Sequence, residues 1–139
     1  MANHPRYVPF LLLFLFLSGT LTKAVAQDPG TPAFVQVKTE DGLMLSGAVW
    51  APRAPSQQTA IVMTWTGEFY EYAEWGRQFA AAGYPVVSLN RRDSGAQHGY
   101  YLFEPSARDV RYAIDLAAQR GAKQVVVLGL SYGTVVTSY

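Results

Sequence analysis

The chain has 139 residues, no cysteine, a formal net charge of +1 and an apolar fraction of 50%. That length accommodates one domain. The missing cysteines exclude disulfide and thiolate–metal frameworks, and the near-balance of charge excludes the basic surface of a nucleic-acid binder.

Residues 1–26 differ from the rest. His4 and Arg6 give a weakly basic start, Val8 to Leu17 is an unbroken apolar run, and Ala24 and Ala26 have the small-residue spacing of a secretory cleavage site. The run is shorter than the roughly 20 residues a membrane-spanning helix needs. The pattern predicts a cleaved signal peptide over 1–26, a mature start near Gln27, a secreted or periplasmic destination and no stable membrane span. An uncleaved anchor, with Leu21 and Val25 lengthening the run, is the alternative.

Residues 27–33 are rich in proline and glycine and read as a short leader; 34–139 read as one domain. Phe34, Val35 and Val37 precede Asp41-Gly42, a hairpin signal, and Leu43, Leu45, Gly47 and Val49 alternate after it. Thr59 to Trp65 is a short apolar run with little alternation, as in a strand covered on both faces. Tyr72, Trp75, Phe79 and Ala82 then recur at helical spacing, predicting one buried face, with Gly83 as the left-handed stop.

Pro85 to Leu89 is the next strand. Asn90, Arg91 and Arg92 form the one locally basic stretch and read as a solvated turn. Ser106 reads as the cap of the following helix, with Asp109 three residues on as an imperfect capping box. Val110, Ala113, Ile114 and Ala117 share its apolar face, while Asp109 and Asp115 read as its solvated face or first-turn charge. Gly121 ends it. Gln124 to Gly129 is another buried strand, and an apolar stretch able to start a helix follows. A hairpin followed by alternating strands and helices predicts an α/β fold: a mostly parallel sheet with an N-terminal antiparallel hairpin and helices on both faces.

Chemistry concentrates in the Gly-x-Ser-x-Gly pattern from Gly129 to Gly133. The bare pattern is weak, but Ser131 falls between a β-branched strand and a helix start, the strand–turn–helix setting of a nucleophile elbow. Side chains at Gly129 and Gly133 would collide with neighbouring backbone. The N–H of Tyr132, at the first turn of the helix, is placed to stabilise an oxyanion. No cofactor is called for, and metal binding has no support because the histidines are not clustered.

With these residues in view, the chain resembles the α/β-hydrolase family over nearly all of 27–139. Asp41 to Pro52 looks like the family's opening hairpin, and Ile61 to Gly95 like its block of strand, oxyanion loop, first helix and next strand. The family usually carries His-Gly after that strand; here it is Thr66-Gly67. By the resemblance Glu68 supplies the second oxyanion N–H, a backbone donor that the threonine does not remove. The family's Asp-x-Arg-Gly-x-Gly appears here as "NRRDSG", keeping Arg92 and Gly95 but with Asn90 and Asp93.

The resemblance implies a serine hydrolase acting on a small-molecule ester, thioester or amide. In that family the triad acid and histidine follow later strands than the serine's, so the chain reads as the N-terminal part of a longer hydrolase, or a truncated copy, inactive alone. His98 is the one histidine after the leader, and a local base role for it, oriented by Asp93, is the internal substitute; a surface histidine is the plainer reading. Tyr100, Tyr101 and Phe103 either line an acyl pocket or pack a long loop. A catalytically silent hydrolase-like binding module is the alternative function, and an exposed edge on the last strand predicts poor solubility.

Overall fold

A computed structural model describes residues 30–54, 58–65, 72–94 and 103–139. The expectations for the signal peptide over 1–26, for Thr66, Gly67 and Glu68, and for His98, Tyr100 and Tyr101 fall outside the described residues, and β1 opens at Ala33, the last residue assigned to the leader.

The elements run β1 (Ala33–Lys38), β2 (Met44–Trp50), β3 (Thr59–Thr64), α1 (Ala73–Ala81), β4 (Val86–Leu89), α2 (Phe103–Gln119), β5 (Gln124–Gly129) and α3 (Tyr132–Thr137). The strands form one sheet in the order β1-β2-β4-β3-β5. β3 pairs in parallel with β4 and β5. β2 lies antiparallel to β1 and to β4, so it alone among the described strands runs against the rest. The expected α/β architecture holds.

The hairpin is joined by a five-residue connection rather than a two-residue turn: Lys38 pairs with Met44, and Thr39 N–H donates to the Leu43 carbonyl at 2.8 Å. Gly42 sits at its tip with φ 88°, a conformation that other residues rarely adopt. Because β2 is antiparallel to β4, this connection lies beyond the C-terminal end of β4, the same edge at which Ser131 emerges.

Helices cover both faces. On one face Val49, Ala60, Val62, Val87 and Leu89 pack against Val110, Ala113 and Ala117 of α2 and Val136 of α3. On the other, Ala48, Trp50, Ile61, Met63 and Val86 pack against Ala80 of α1. The predicted α2 face is therefore present, with Ile114 at its half-buried margin.

α1 departs from expectation. Its buried residues are Gly76 and Ala80, whereas Trp75 is 42% exposed and Ala82 is exposed. The bulk on this face comes from the sheet: Trp50 is fully buried, and a Cβ on Gly76 would stand 2.6–2.9 Å from its ring atoms. The helix settles on the indole through its smallest residues, and Tyr72 and Phe79 pack only at the margin of the cluster.

Two further expectations fail. α2 begins at Phe103, so Ser106 lies inside the helix, buried, with its Oγ unpartnered, rather than at a cap; Pro105 is compatible with this because a first helical turn needs no donor there. And β5 is only half covered: it stands at the sheet edge among the described strands, with Val126 54% exposed.

Candidate active site

β5 ends at Gly129 and α3 begins at Tyr132, leaving Leu130 and Ser131 to make the turn. Leu130 N–H donates to the Thr64 carbonyl at 3.2 Å, tying the turn to the end of β3. Ser131 takes φ 52°, ψ −127°, and it alone among the described non-glycine residues has positive φ. Such a backbone costs on the order of 1–3 kcal/mol and persists only where surrounding structure enforces it.

The enforcement is visible in the flanking glycines. A Cβ on Gly129 would lie 2.7–2.8 Å from the Gly133 carbonyl and Thr134 Cα. A Cβ on Gly133 would lie 2.9 Å from Trp65 Cα and closer still to the Thr64 carbonyl oxygen. Both glycines are required for close approach of backbone to backbone, not for positive φ. β3, β5 and α3 thus converge on Ser131 with no room for side chains.

A serine just ahead of a helix ordinarily caps it, its oxygen accepting an N–H from the first turn. Ser131 occupies that position and makes no such bond, and the residue is exposed. The first-turn donors are used differently. Gly133 N–H goes to the Leu130 carbonyl at 2.8 Å and Thr134 N–H to the Ser131 carbonyl at 3.0 Å. The Tyr132 N–H, the first of the helix, has no carbonyl one turn back within it. A hydroxyl free of capping, beside an N–H with no backbone acceptor among the described residues, can attack a carbonyl carbon while that N–H hydrogen-bonds the oxygen that becomes negative.

Beneath this turn lies Arg91, one of the two adjacent arginines expected in solvent. Arg91 is 1% exposed. Its Nε donates to Asp93 Oδ1 at 2.9 Å, its Nη2 to Asp93 Oδ2 at 3.1 Å and its Nη1 to Thr64 Oγ1 at 2.7 Å. Asp93, expected as an orienting partner for His98, is itself 1% exposed and committed to Arg91.

Arg92 points the other way. Its fork grips Asp109, Nε to Oδ2 at 2.9 Å and Nη2 to Oδ1 at 2.8 Å, and Nη1 reaches Asp41 Oδ2 in the hairpin connection at 2.7 Å. The Asp109 side chain has no exposure, which overturns its assignment to a solvated face; Asp115 is half exposed, as expected. Hydrogen bonds from Arg92, then from Thr39, hold the Asp41 carboxyl down at about 2 from an ordinary 3.8. The Arg92 guanidinium is correspondingly pushed up, chiefly by Asp109 and then by Asp41.

Phe103 opens α2 rather than lying in the loop before it, and meets Tyr132 and Tyr139 edge-on, at centroid distances of 6.3 and 5.1 Å. Among the described residues no group of three His, Asp or Glu could hold a metal ion, and no helix is long and apolar enough to cross a membrane.

No family model matches the sequence, and no curated protein matches it in sequence. Solved structures do match. A lidless α/β serine hydrolase of Xanthomonas campestris superposes with TM-score 0.62 at 21% identity, over 78% of this chain and 55% of its own. A thermostable carboxyl esterase of Bacillus coagulans gives TM-score 0.62 at 14% identity, over 76% and 38%. An acylaminoacyl peptidase of Pyrococcus horikoshii gives 0.55 at 20%, over 73% and 19%. The chain spans about half or less of the length of each of these structures. It carries the α/β-hydrolase fold.

Proposed function

We propose that this protein is a serine hydrolase of α/β-hydrolase type acting on a small-molecule ester, thioester or amide, with Ser131 as nucleophile. One observation carries the reading: Ser131 stands where a helix cap should be, in a left-handed backbone, and caps nothing. An ordinary cap would take an extended backbone and bond the first turn at no strain. A strained serine with an exposed hydroxyl is what a nucleophile at a strand-to-helix turn requires.

Ser131 Oγ attacks the acyl carbon, its proton passing to a general base. Tyr132 N–H receives the oxyanion, with Glu68 N–H as the second donor by family resemblance. Each such donor contributes on the order of 3 kcal/mol to the transition state. The intermediate collapses to the acyl-serine as the bond to the alcohol, thiol or amine breaks and that group leaves with the proton returned by the base; water, deprotonated by the same base, then attacks the acyl carbon, and Ser131 Oγ leaves and recovers its proton. Turnover needs a base and an acid near Ser131. In the related fold these follow later strands, and His98 is this chain's own candidate for the base.

A fluorophosphonate probe tests the proposal. Mass-spectrometric labelling of wild-type Ser131, abolished in Ser131→Ala with unchanged melting temperature, is the expected result. A correctly folded wild type that stays unlabelled would point instead to a silent module with the same fold. The signal-peptide pattern over 1–26 supports export, secreted or periplasmic; a mature N-terminus near Gln27 in the exported product is the expected outcome of Edman sequencing, and retention of Met1 in a membrane fraction would overturn it.

A further inference from the structure

Arg91 takes no part in the proposed reaction, yet its charge is almost wholly buried. A buried charge persists only where a counter-ion and hydrogen bonds offset its desolvation. The two bonds to Asp93 meet that need within the loop itself. The remaining contacts leave the loop and arrive on both sides of Ser131.

On one side, Nη1 donates to the Thr64 hydroxyl at 2.7 Å. Thr64 is the residue whose carbonyl accepts the Leu130 N–H and against which Gly133 packs. On the other side, the guanidinium carbon lies 5.9 Å from the centroid of the Tyr132 ring, within cation–π range. Phe103 meets that ring edge-on at 6.3 Å, so the ring is held between α2 and a buried cation. Ser94 Oγ, two residues beyond Arg92, donates to the Trp65 carbonyl at 3.3 Å, tying the same loop to the next residue of the β3 end.

We infer that Arg91 is a positioning residue: by fixing Thr64 and Tyr132 together it sets the backbone on either side of Ser131, and with it the direction of the hydroxyl and of the Tyr132 N–H. The catalytic consequence rests on the reading of Ser131 as nucleophile; the geometric one does not. The plainer role, an ion pair that merely stabilises its own loop, predicts a different experiment.

The test uses the full chain and the double variant Arg91→Met/Asp93→Leu. Removing both charges leaves no orphaned carboxylate, and apolar replacement of a buried pair is often close to neutral in stability. Two quantities are read: amide hydrogen exchange in peptides covering 129–136 and 33–50, and the rate of fluorophosphonate labelling at Ser131. Positioning predicts about ten-fold faster exchange in 129–136 with 33–50 unchanged, and labelling about 10- to 100-fold slower at a similar melting temperature, the effect of a misplaced reacting group. Arg91→Lys keeps the charge but loses the planar fork that serves Asp93 and Thr64 together, and falls between.

Unchanged exchange in 129–136 overturns the inference. So does a uniform rise in both segments with a lower melting temperature, which is the signature of general destabilisation. Absence of labelling in the wild type would overturn the nucleophile instead, and the exchange data would still decide the role of Arg91.

Discussion

Arg91 and Arg92 are neighbours in the chain and serve opposite ends of the same sheet edge. Arg91 turns inward to the strand-to-helix turn at Ser131, where backbone meets backbone and its hydrogen-bond partners Thr64 and Asp93 are buried. Arg92 turns outward to the hairpin connection, where Asp41 is more than half exposed and only Asp109 lies in the interior. The first region is rigid because it is crowded, the second because one cation joins a hairpin, a loop and a helix. Crowding admits no substitution, whereas a charge bridge fails in proportion to how deeply the missing partner was buried.

The largest effect is expected at Asp109. Asp109→Ala leaves Arg92 with its inner partner gone, and removing one member of a buried pair costs about 3–5 kcal/mol. Denaturant unfolding should show that loss, while the labelling rate of Ser131 per folded molecule stays near wild type; a fall in labelling would mean that the two regions are coupled.

Gly133→Ala should cost about 1–3 kcal/mol by overpacking, against a gain of roughly 1 kcal/mol from helix propensity, and should abolish labelling. A stabilised variant would show that α3 can retreat from Thr64. Ser131→Gly should do the reverse, stabilising by about 1 kcal/mol as the left-handed strain is relieved, with no labelling; a destabilised variant would count against strain at this position.

The smallest effect belongs to Asp41. Its carboxyl titrates lower in the folded protein, at about 2, than its ordinary 3.8, so the unfolded chain takes up the proton first. The stabilisation is complete above the ordinary value and lost as pH falls toward 2. Melting temperatures of wild type and Asp41→Asn should therefore differ slightly at pH 5 and converge by pH 2. A difference that persisted at pH 2 would mean that the Arg92 contact does not depend on charge.

Much of the fold was legible because its signals are short-range. Asp41-Gly42 marked the hairpin connection, and apolar runs between helical periods marked the strands. The glycines on either side of Ser131 marked a turn too tight for side chains. The misreadings share one cause. Arg91 meets Thr64 27 residues away, and Arg92 meets Asp109 and Asp41 at separations of 17 and 51; read locally, the pair looked like solvent-facing charge. The aromatic stripe of α1 misled in the same way, because Trp50 of β2 already filled the space that its side chains were expected to occupy. Gly76 in mid-helix was the available signal, since glycine there is unfavourable unless something packs against it.

By itself the sequence determined the order of elements and the place where a serine sits between strand and helix. These follow from periodicity, turn residues and glycine, all properties of a few neighbouring residues. Only the tertiary structure decided that Ser131 caps nothing, that Arg91 is interior and Arg92 tied to Asp109 and Asp41, and which face of each helix is buried. Those outcomes depend on which distant groups compete for the same volume and the same hydrogen bonds once the sheet has assembled.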